Sequence, residues 1–196
     1  RVRKMKKEQT IVVEGNLITV INKGYTDVDS DVIQLIDLKT KTVYPGFIDM
    51  HVHIESESNP QAYLNRYLLN EADLAYDAAV YAKRSLMGGF TTVRDMGGSG
   101  VNIALRNAIA KGKTPGPRIF TAGKTLASTG GHGDPTNGNK ADFQGDPGPK
   151  EGVVNSVEDA RKAVRQRYKN GADWIKITAT GGVLSVAKSG ENPQFT

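Results

Sequence analysis

Val43-Tyr-Pro-Gly-Phe-Ile-Asp-Met-His-Val-His-Ile54 is the stretch on which the reading of this chain turns. On a strand, side chains two residues apart share a face, so His51 and His53 present both imidazoles to one space, with Asp49 two residues earlier on the same side. Two imidazoles on one rigid strand are a preorganised pair of ligands for zinc or a similar divalent ion. Close histidines in other proteins are often only solvated or hydrogen-bonded, and the spacing alone leaves both readings open.

On the N-terminal side the chain reads as short strands. Gln9–Glu14 and Leu17–Ile21 flank the turn-forming pair Gly15-Asn16, which predicts a hairpin. A third run, Val32–Asp37, alternates partly and leads through Lys39-Thr-Lys41 to the histidine strand. Residues 1–42 therefore read as part of a small all-β unit.

After Ile54 the rhythm becomes helix and strand in alternation. Glu71–Leu86 carries Leu74, Ala75, Ala78, Ala79, Ala82 and Leu86 at helical spacing and stops at Gly88-Gly89. Thr91–Asp95 reads as the next strand, Val101–Lys111 as a helix ended by Gly112, and Arg118–Ala122 as a third strand. Residues 123–155 are rich in Gly, Pro, Asp and Asn, and read either as a functional loop or as a mobile insertion. Ser156, with Asp159 three residues on, caps a helix whose apolar spacing runs through Val157, Ala160, Ala163, Val164 and Tyr168 to Asn170-Gly171. Trp174–Thr178 is the fourth strand, closing at Gly181-Gly182. This alternation predicts a parallel sheet with helical crossovers.

In such sheets the working residues stand at the carboxyl ends of the strands. His51 and His53 end the first, Asp95 the second, Thr121–Gly123 the third, and Lys176 lies near the end of the fourth. Lys176 shares a face with Trp174 and Thr178 in a strand expected to be covered on both sides. A buried ammonium loses several kcal/mol of hydration, so it needs a partner, for which Asp95 is the candidate, or a function.

Bulk properties narrow the chemistry. There is no cysteine among the 196 residues, so any metal is held by nitrogen and oxygen. The net charge of +5 is concentrated in Arg1-Val-Arg-Lys-Met-Lys-Lys7, a solvated end without interleaved aromatics, and no nucleic-acid partner is expected. No apolar run approaches the roughly 20 residues of a membrane span, so the expectation is a soluble chain without membrane contact, cytoplasmic or periplasmic.

Three stretches carry a resemblance: Val43–His53, Thr91–Asp95, and Gly171–Ile177 followed by Ala179-Thr-Gly-Gly182. Together they resemble the amidohydrolase superfamily of metal-dependent hydrolases, in its imidazolonepropionase-like and prolidase-like branch, which includes Xaa-Pro and Xaa-Arg or Xaa-Lys dipeptidases. The resemblance implies an α/β fold: the first half of a (β/α)8 TIM-type barrel, strands 1–4 in residues 43–196, preceded by part of a small β-sandwich in residues 1–42. It implies two divalent metal ions, zinc above all, with His51 and His53 holding one and a carboxylated Lys176 bridging the two. A carbamate would replace an ammonium by an anionic oxygen ligand, and burial favours the neutral amine from which it forms.

The implied activity is cleavage of amide C–N bonds in dipeptides or N-acyl amino acids by metal-activated hydroxide. His132, in Ser128-Thr-Gly-Gly-His-Gly-Asp134, would help hold the substrate or its oxyanion. The resemblance further implies a small-molecule or dipeptide substrate and a homo-oligomer of the full-length protein. The family's remaining ligands are histidines on the fifth and sixth strands and an aspartate on the eighth. The only histidines here are His51, His53 and His132, so the chain is expected to be the amino-terminal part of a longer enzyme and inactive alone. Two alternatives stand beside this: a mononuclear cyclic amidohydrolase or lactonase, against which Lys176 argues, and a non-catalytic scaffold of the same fold.

Overall fold

The computed structural model describes residues 4–27, 32–183, 185–186 and 189–195. Arg1 and Arg3 of the basic end, and Thr196, lie outside them. The chain divides into two compact units, Arg1–Pro45 and Gly46–Thr196.

The first unit is built on a hairpin. Strands β1 (Gln9–Glu14) and β2 (Leu17–Lys23) pair antiparallel from Gln9 opposite Lys23 to Glu14 opposite Leu17, with a register shift between Val12 and Val13. Gly15 adopts the left-handed backbone conformation that the tight turn requires, at φ +62°. The third expected run behaves differently. Val32–Asp37 forms no ladder among the described residues, and Val32, Ile33, Leu35 and Ile36 are exposed. The hairpin itself is largely exposed, so no buried layer drives this alternating run into pairing, and Asp37 turns the chain by accepting Lys39 N–H at 2.9 Å.

The second unit alternates as expected. Its elements are β3 (Phe47–Val52), α1 (Ala62–Leu68), α2 (Glu71–Met87), β4 (Phe90–Asp95), α3 (Val101–Ala110), β5 (Arg118–Thr121), a 3-10 turn at Ala141–Phe143 and α4 (Val157–Asn170). The strands form a parallel sheet in the order β3-β4-β5. Helix α1 escaped the sequence pattern because it buries no residue and has no side-chain cap. Val52, Ile54, Val93 and Ile119 pack with Leu74, Ala75, Ala78, Ala79 and Ala82 of α2 and Val101, Leu105 and Ile109 of α3. Ala78 and Ala82 are completely buried, the small side chains that let a helix lie close on a sheet.

The fourth expected strand, Trp174–Thr178, is present only as an isolated parallel bridge, Ile177 to Leu126. Its partner is interrupted. Asp173 N–H reaches Thr121 O at 2.8 Å, but Gly123, at φ +63°, then turns the chain away. Pairing resumes only where Leu126 N–H meets Lys176 O and Thr178 N–H meets Leu126 O, each at 2.9 Å.

The stretch 123–155 is tied down rather than loose. Ala127 bridges Val153, and Leu126, Ala127, Val153 and Val154 are buried, Leu126 and Val154 around Ala163 of α4. The buried stripe of α4 differs from the predicted one: Val157, Val164 and Tyr168 are exposed, while Ala163 and Arg167, four residues apart, are buried. Inside, backbone acceptors take two of the Arg167 nitrogens, while Nη2 is buried without a hydrogen-bond partner among the described residues. Nε donates to Lys124 O at 2.7 Å and Nη1 to Lys150 O at 3.3 Å, fastening both ends of the stretch to the helix. Ser156 caps α4 as expected, accepting Asp159 N–H at 3.0 Å, and Gly171 ends it at φ +88°.

Replacing Arg167 by Met removes its donations to the Lys124 and Lys150 carbonyls, and a hydrogen bond of this kind contributes about 0.5–1.5 kcal/mol. Arg167→Met should therefore lower the unfolding free energy by about that much per bond, read as a lower urea midpoint at unchanged slope; an unchanged midpoint would contradict the fastening role.

Candidate metal site

His51 lies within β3, and His53 follows one residue after its last ladder position, Val52. The extended backbone nonetheless continues far enough to bring the two rings together, centroids 5.6 Å apart and planes tilted by 58°. Asp49 does not point freely into the same space: its Oδ1 accepts His51 N–H at 2.9 Å, which turns the carboxylate onto its own strand.

The state of each ring follows from its neighbours. His53 Nδ1 lies 2.9 Å from Gly97 O. A carbonyl oxygen carries no proton, so Nδ1 carries one, and in the neutral ring Nε2 is the nitrogen with the free lone pair. His51 is held below the usual imidazole pKa by burial first, then by Lys176, His53 and Arg94, with Asp49 opposing. His51 is thereby disposed to the neutral form that binds a metal. The donor set fits a divalent ion of borderline softness. Among the described residues no group of three His, Cys, Asp or Glu is placed to hold one.

Lys176 is half-buried rather than buried, since neither face of its segment is fully covered; Ile177 beside it is exposed. Its ammonium is near enough to His51 to oppose protonation of that ring. Asp95 is not its partner. That carboxylate is fully buried and engaged elsewhere: Oδ1 accepts Ile54 N–H at 3.0 Å, while Oδ2 accepts Asn102 Nδ2 and Thr121 Oγ1, each at 2.7 Å. The end of β4 thus supplies a structural hub behind the site, not a group facing it.

His132 sits apart from the pair in sequence and is exposed. Its backbone N–H donates to Gln194 Oε1 at 2.8 Å, and its ring lies where a Cβ on Gly182 would stand, 3.0 Å from Cε1 and Nε2. The loop bearing it is thus packed on the segment that follows Lys176.

Two residues were not singled out from sequence. Arg94 donates from Nε to Met50 O at 2.8 Å and lies over the Trp174 ring at 5.2 Å, tying β3 and β4 to the segment of Lys176. Glu55 is buried and accepts Ser99 N–H at 2.6 Å and Asn102 N–H at 2.5 Å. The contact of Arg94 with Trp174, far along the chain, has no signature in sequence. Glu55 does have one, a carboxylate two residues past a histidine pair, though not one that names its partners.

The amidohydrolase family model matches residues 42–196. Ochratoxinase from Aspergillus niger is 30% identical over 172 residues, which cover 80% of this chain and 34% of the relative. Among solved structures, a Xaa-Pro dipeptidase with methionine bound in its active site superposes with TM-score 0.86 and 53% identity, over 95% of this chain and 46% of that one. A prolidase complexed with N-methylphosphonate-L-proline superposes with TM-score 0.80 and 34% identity, over 96% of this chain and 46% of that one. The chain spans about a third of the ochratoxinase and under half of each of the two solved proteins.

The electrostatics of Asp95 give a stability signature. Burial raises its carboxyl above the ordinary carboxylate range, its three donors oppose the rise and the charge of Glu55 adds to it. With the folded pKa above the unfolded one, its contribution is complete below the unfolded value and is lost as pH rises through the folded value. The stability of the wild type relative to Asp95→Asn should therefore increase between pH 8 and pH 4, read from urea midpoints of both proteins; a constant difference would count against the buried charge.

Proposed function

The chain belongs to the amidohydrolase family, and from that premise we propose that the complete protein is a metal-dependent hydrolase of amide bonds, acting on dipeptides or N-acyl amino acids. The observation that carries the proposal is His51 and His53 side by side with Lys176 close to them, in a chain 53% identical to a Xaa-Pro dipeptidase. The proline-bearing ligand of the similar prolidase supports dipeptides ending in proline as the first substrates to try.

The same reading holds that residues 43–196 contribute the first strands of a (β/α)8 barrel, and residues 1–42 part of a β-sandwich. Supporting it, Ile48, Met50 and Phe120 of the parallel sheet, and Leu17, Ile18 and Ile21 of the hairpin, are all exposed, which is apolar surface that further layers of a longer chain would cover. Assembly as a homo-oligomer belongs to the same proposal.

Two divalent ions, zinc first, would be held here by His51, His53 and Lys176. When bound, they supply Lewis acidity that activates water and polarises the scissile carbonyl. The chain's own residues prepare for this. His53 offers Nε2 because the Gly97 carbonyl occupies Nδ1. Lys176, once unprotonated, adds through Nζ to the carbon of carbon dioxide: an N–C bond forms, one proton leaves to solvent, and the carbamate presents anionic oxygens. Arg94 and Trp174 keep that lysine's segment against β3 and β4. His132 is assigned to the substrate, as a donor to its carboxylate or to the oxyanion, with its ring lying on Gly182.

In the full-length protein, His51→Ala and His53→Ala should each weaken zinc binding and dipeptide hydrolysis by more than the roughly 10–100-fold that loss of an outer-shell partner causes. Lys176→Ala should remove the second ion, measured as zinc per chain. Hydrolysis by Lys176→Ala at near wild-type rate would refute the bridging role, and a metal-free wild type that still hydrolyses Xaa-Pro dipeptides would refute the metal reading altogether.

A further inference from the structure

Behind the histidine pair lies a closed set of polar contacts that the proposed chemistry does not use. Asp95, Asn102 and Thr121 are fully buried and Glu55 is 8% exposed. Neither carboxylate has an ion-pair partner among the described residues. Two acidic groups in a desolvated place without a cation are costly, and hydrogen-bond donors alone offset that cost.

Asn102, in the first turn of α3, is the residue common to both. Its Nδ2 donates to Asp95 Oδ2 at 2.7 Å, and its backbone N–H donates to Glu55 Oε1 at 2.5 Å. Its Oδ1 accepts the N–H of Ile103 at 3.0 Å. Among the described residues no other donates to both carboxylates, Asn102 reaching Asp95 with its side chain and Glu55 with its backbone.

What this set encloses is the connection from β4 to α3. Met96 N–H donates to Val52 O at 2.8 Å and Gly98 N–H to Gly123 O at 2.9 Å. Ser99 N–H donates to Glu55 Oε2 at 2.6 Å. Gly97 holds φ +130°, a conformation open to glycine, and a Cβ at Gly98 would lie 2.5 Å from the Glu55 carboxyl carbon. The connection is therefore packed into one form at every residue from 96 to 99. In that form the Gly97 carbonyl meets His53 Nδ1 at 2.9 Å.

We propose that Asn102 is a positioning residue for His53: by joining Asp95 to Glu55 it holds residues 96–99 in the form whose Gly97 carbonyl accepts from Nδ1 and leaves Nε2 as the free ring nitrogen. The consequence for metal binding rests on the reading of His53 as a ligand; the tautomer itself does not. Asn102 acts through the backbone and touches no reacting atom.

The test uses the intact protein, without metal, labelled with 15N-histidine, and reads the tautomer of His53 by NMR. The wild type should show the Nδ1–H form in about tenfold excess or more, a preference of about 1.4 kcal/mol. Asn102→Leu, of similar size but without the amide, should lose that preference. Gly98→Ala, which displaces Glu55 while leaving Asn102 in place, should lose it too. Thr121→Val, which takes a different donor from Asp95, is the stability control and should keep it. Zinc affinity, measured by chelator competition, should fall about 10–100-fold in the first two variants and not in the third.

An Nε2–H tautomer in the wild type overturns the proposal without recourse to any variant. It is overturned equally if folded Asn102→Leu or Gly98→Ala keeps the wild-type tautomer, or if Thr121→Val shifts it as far as they do, since the effect is then general loosening. His53→Ala binding zinc as tightly as wild type would overturn the ligand reading instead, and the metal-free tautomer measurement would still decide the role of Asn102.

Discussion

One buried carboxylate joins the ends of the three parallel strands to the start of α3. Asp95 closes β4, takes the backbone N–H of Ile54 just past β3, and takes the hydroxyl of Thr121 at the end of β5 and the amide of Asn102 in α3. The ladders already set Val52 opposite Asp95 and Asp95 opposite Thr121, and the shared carboxylate adds a side-chain tie across the same three strand ends. The arrangement is held by donors rather than by a cation, and the raised pKa of Asp95 reflects the desolvation of that carboxylate.

With the strand ends level, the chemistry of the histidines becomes a matter of backbone placement. His53 has its proton assigned by a carbonyl, not by another titratable group. His51 has its charge discouraged by burial and by the cations around it, Lys176 and Arg94. The two rings thus stand side by side at one strand end, His53 with Nδ1 engaged by the backbone and His51 kept from charging. Arg94 does double duty, since the guanidinium that raises the local potential also stacks on Trp174 and reaches the backbone of β3.

The period-2 spacing of His51 and His53, the helical runs stopped by Gly88-Gly89, Gly112 and Gly171, and the Ser156 cap were all legible in the sequence because each depends on neighbours within one element. What was not legible depends on partners far along the chain. Arg167 reads as a surface cation until the carbonyls of Lys124 and Lys150 are placed beside it. Asp95 stands at a strand end, where reactive groups are expected, and only the approach of Ile54, Asn102 and Thr121 makes it structural. Trp174–Thr178 has a strand's alternation, yet the left-handed Gly123 in its neighbour reduces the ladder to one bridge. The run Val32–Asp37 fails for the opposite reason, having the pattern without a layer to bury it.

The surroundings of His51 bear on how the proposed site would come into being. As an ammonium, Lys176 sets a positive charge beside the imidazole pair, and that charge repels a proton and a divalent cation alike. This keeps His51 deprotonated, and it also opposes filling the site. Carboxylation reverses the sign at one atom's distance: a cation becomes an anion with two oxygens, and the repulsion at His51 turns into attraction. On the proposed reading, then, the imidazoles are prepared for metal by the very charge that must disappear for metal to bind. The order of events follows, with carbon dioxide added to Lys176 before or together with capture of the ions, and with Arg94 left as the positive group that a carbamate would face from β4.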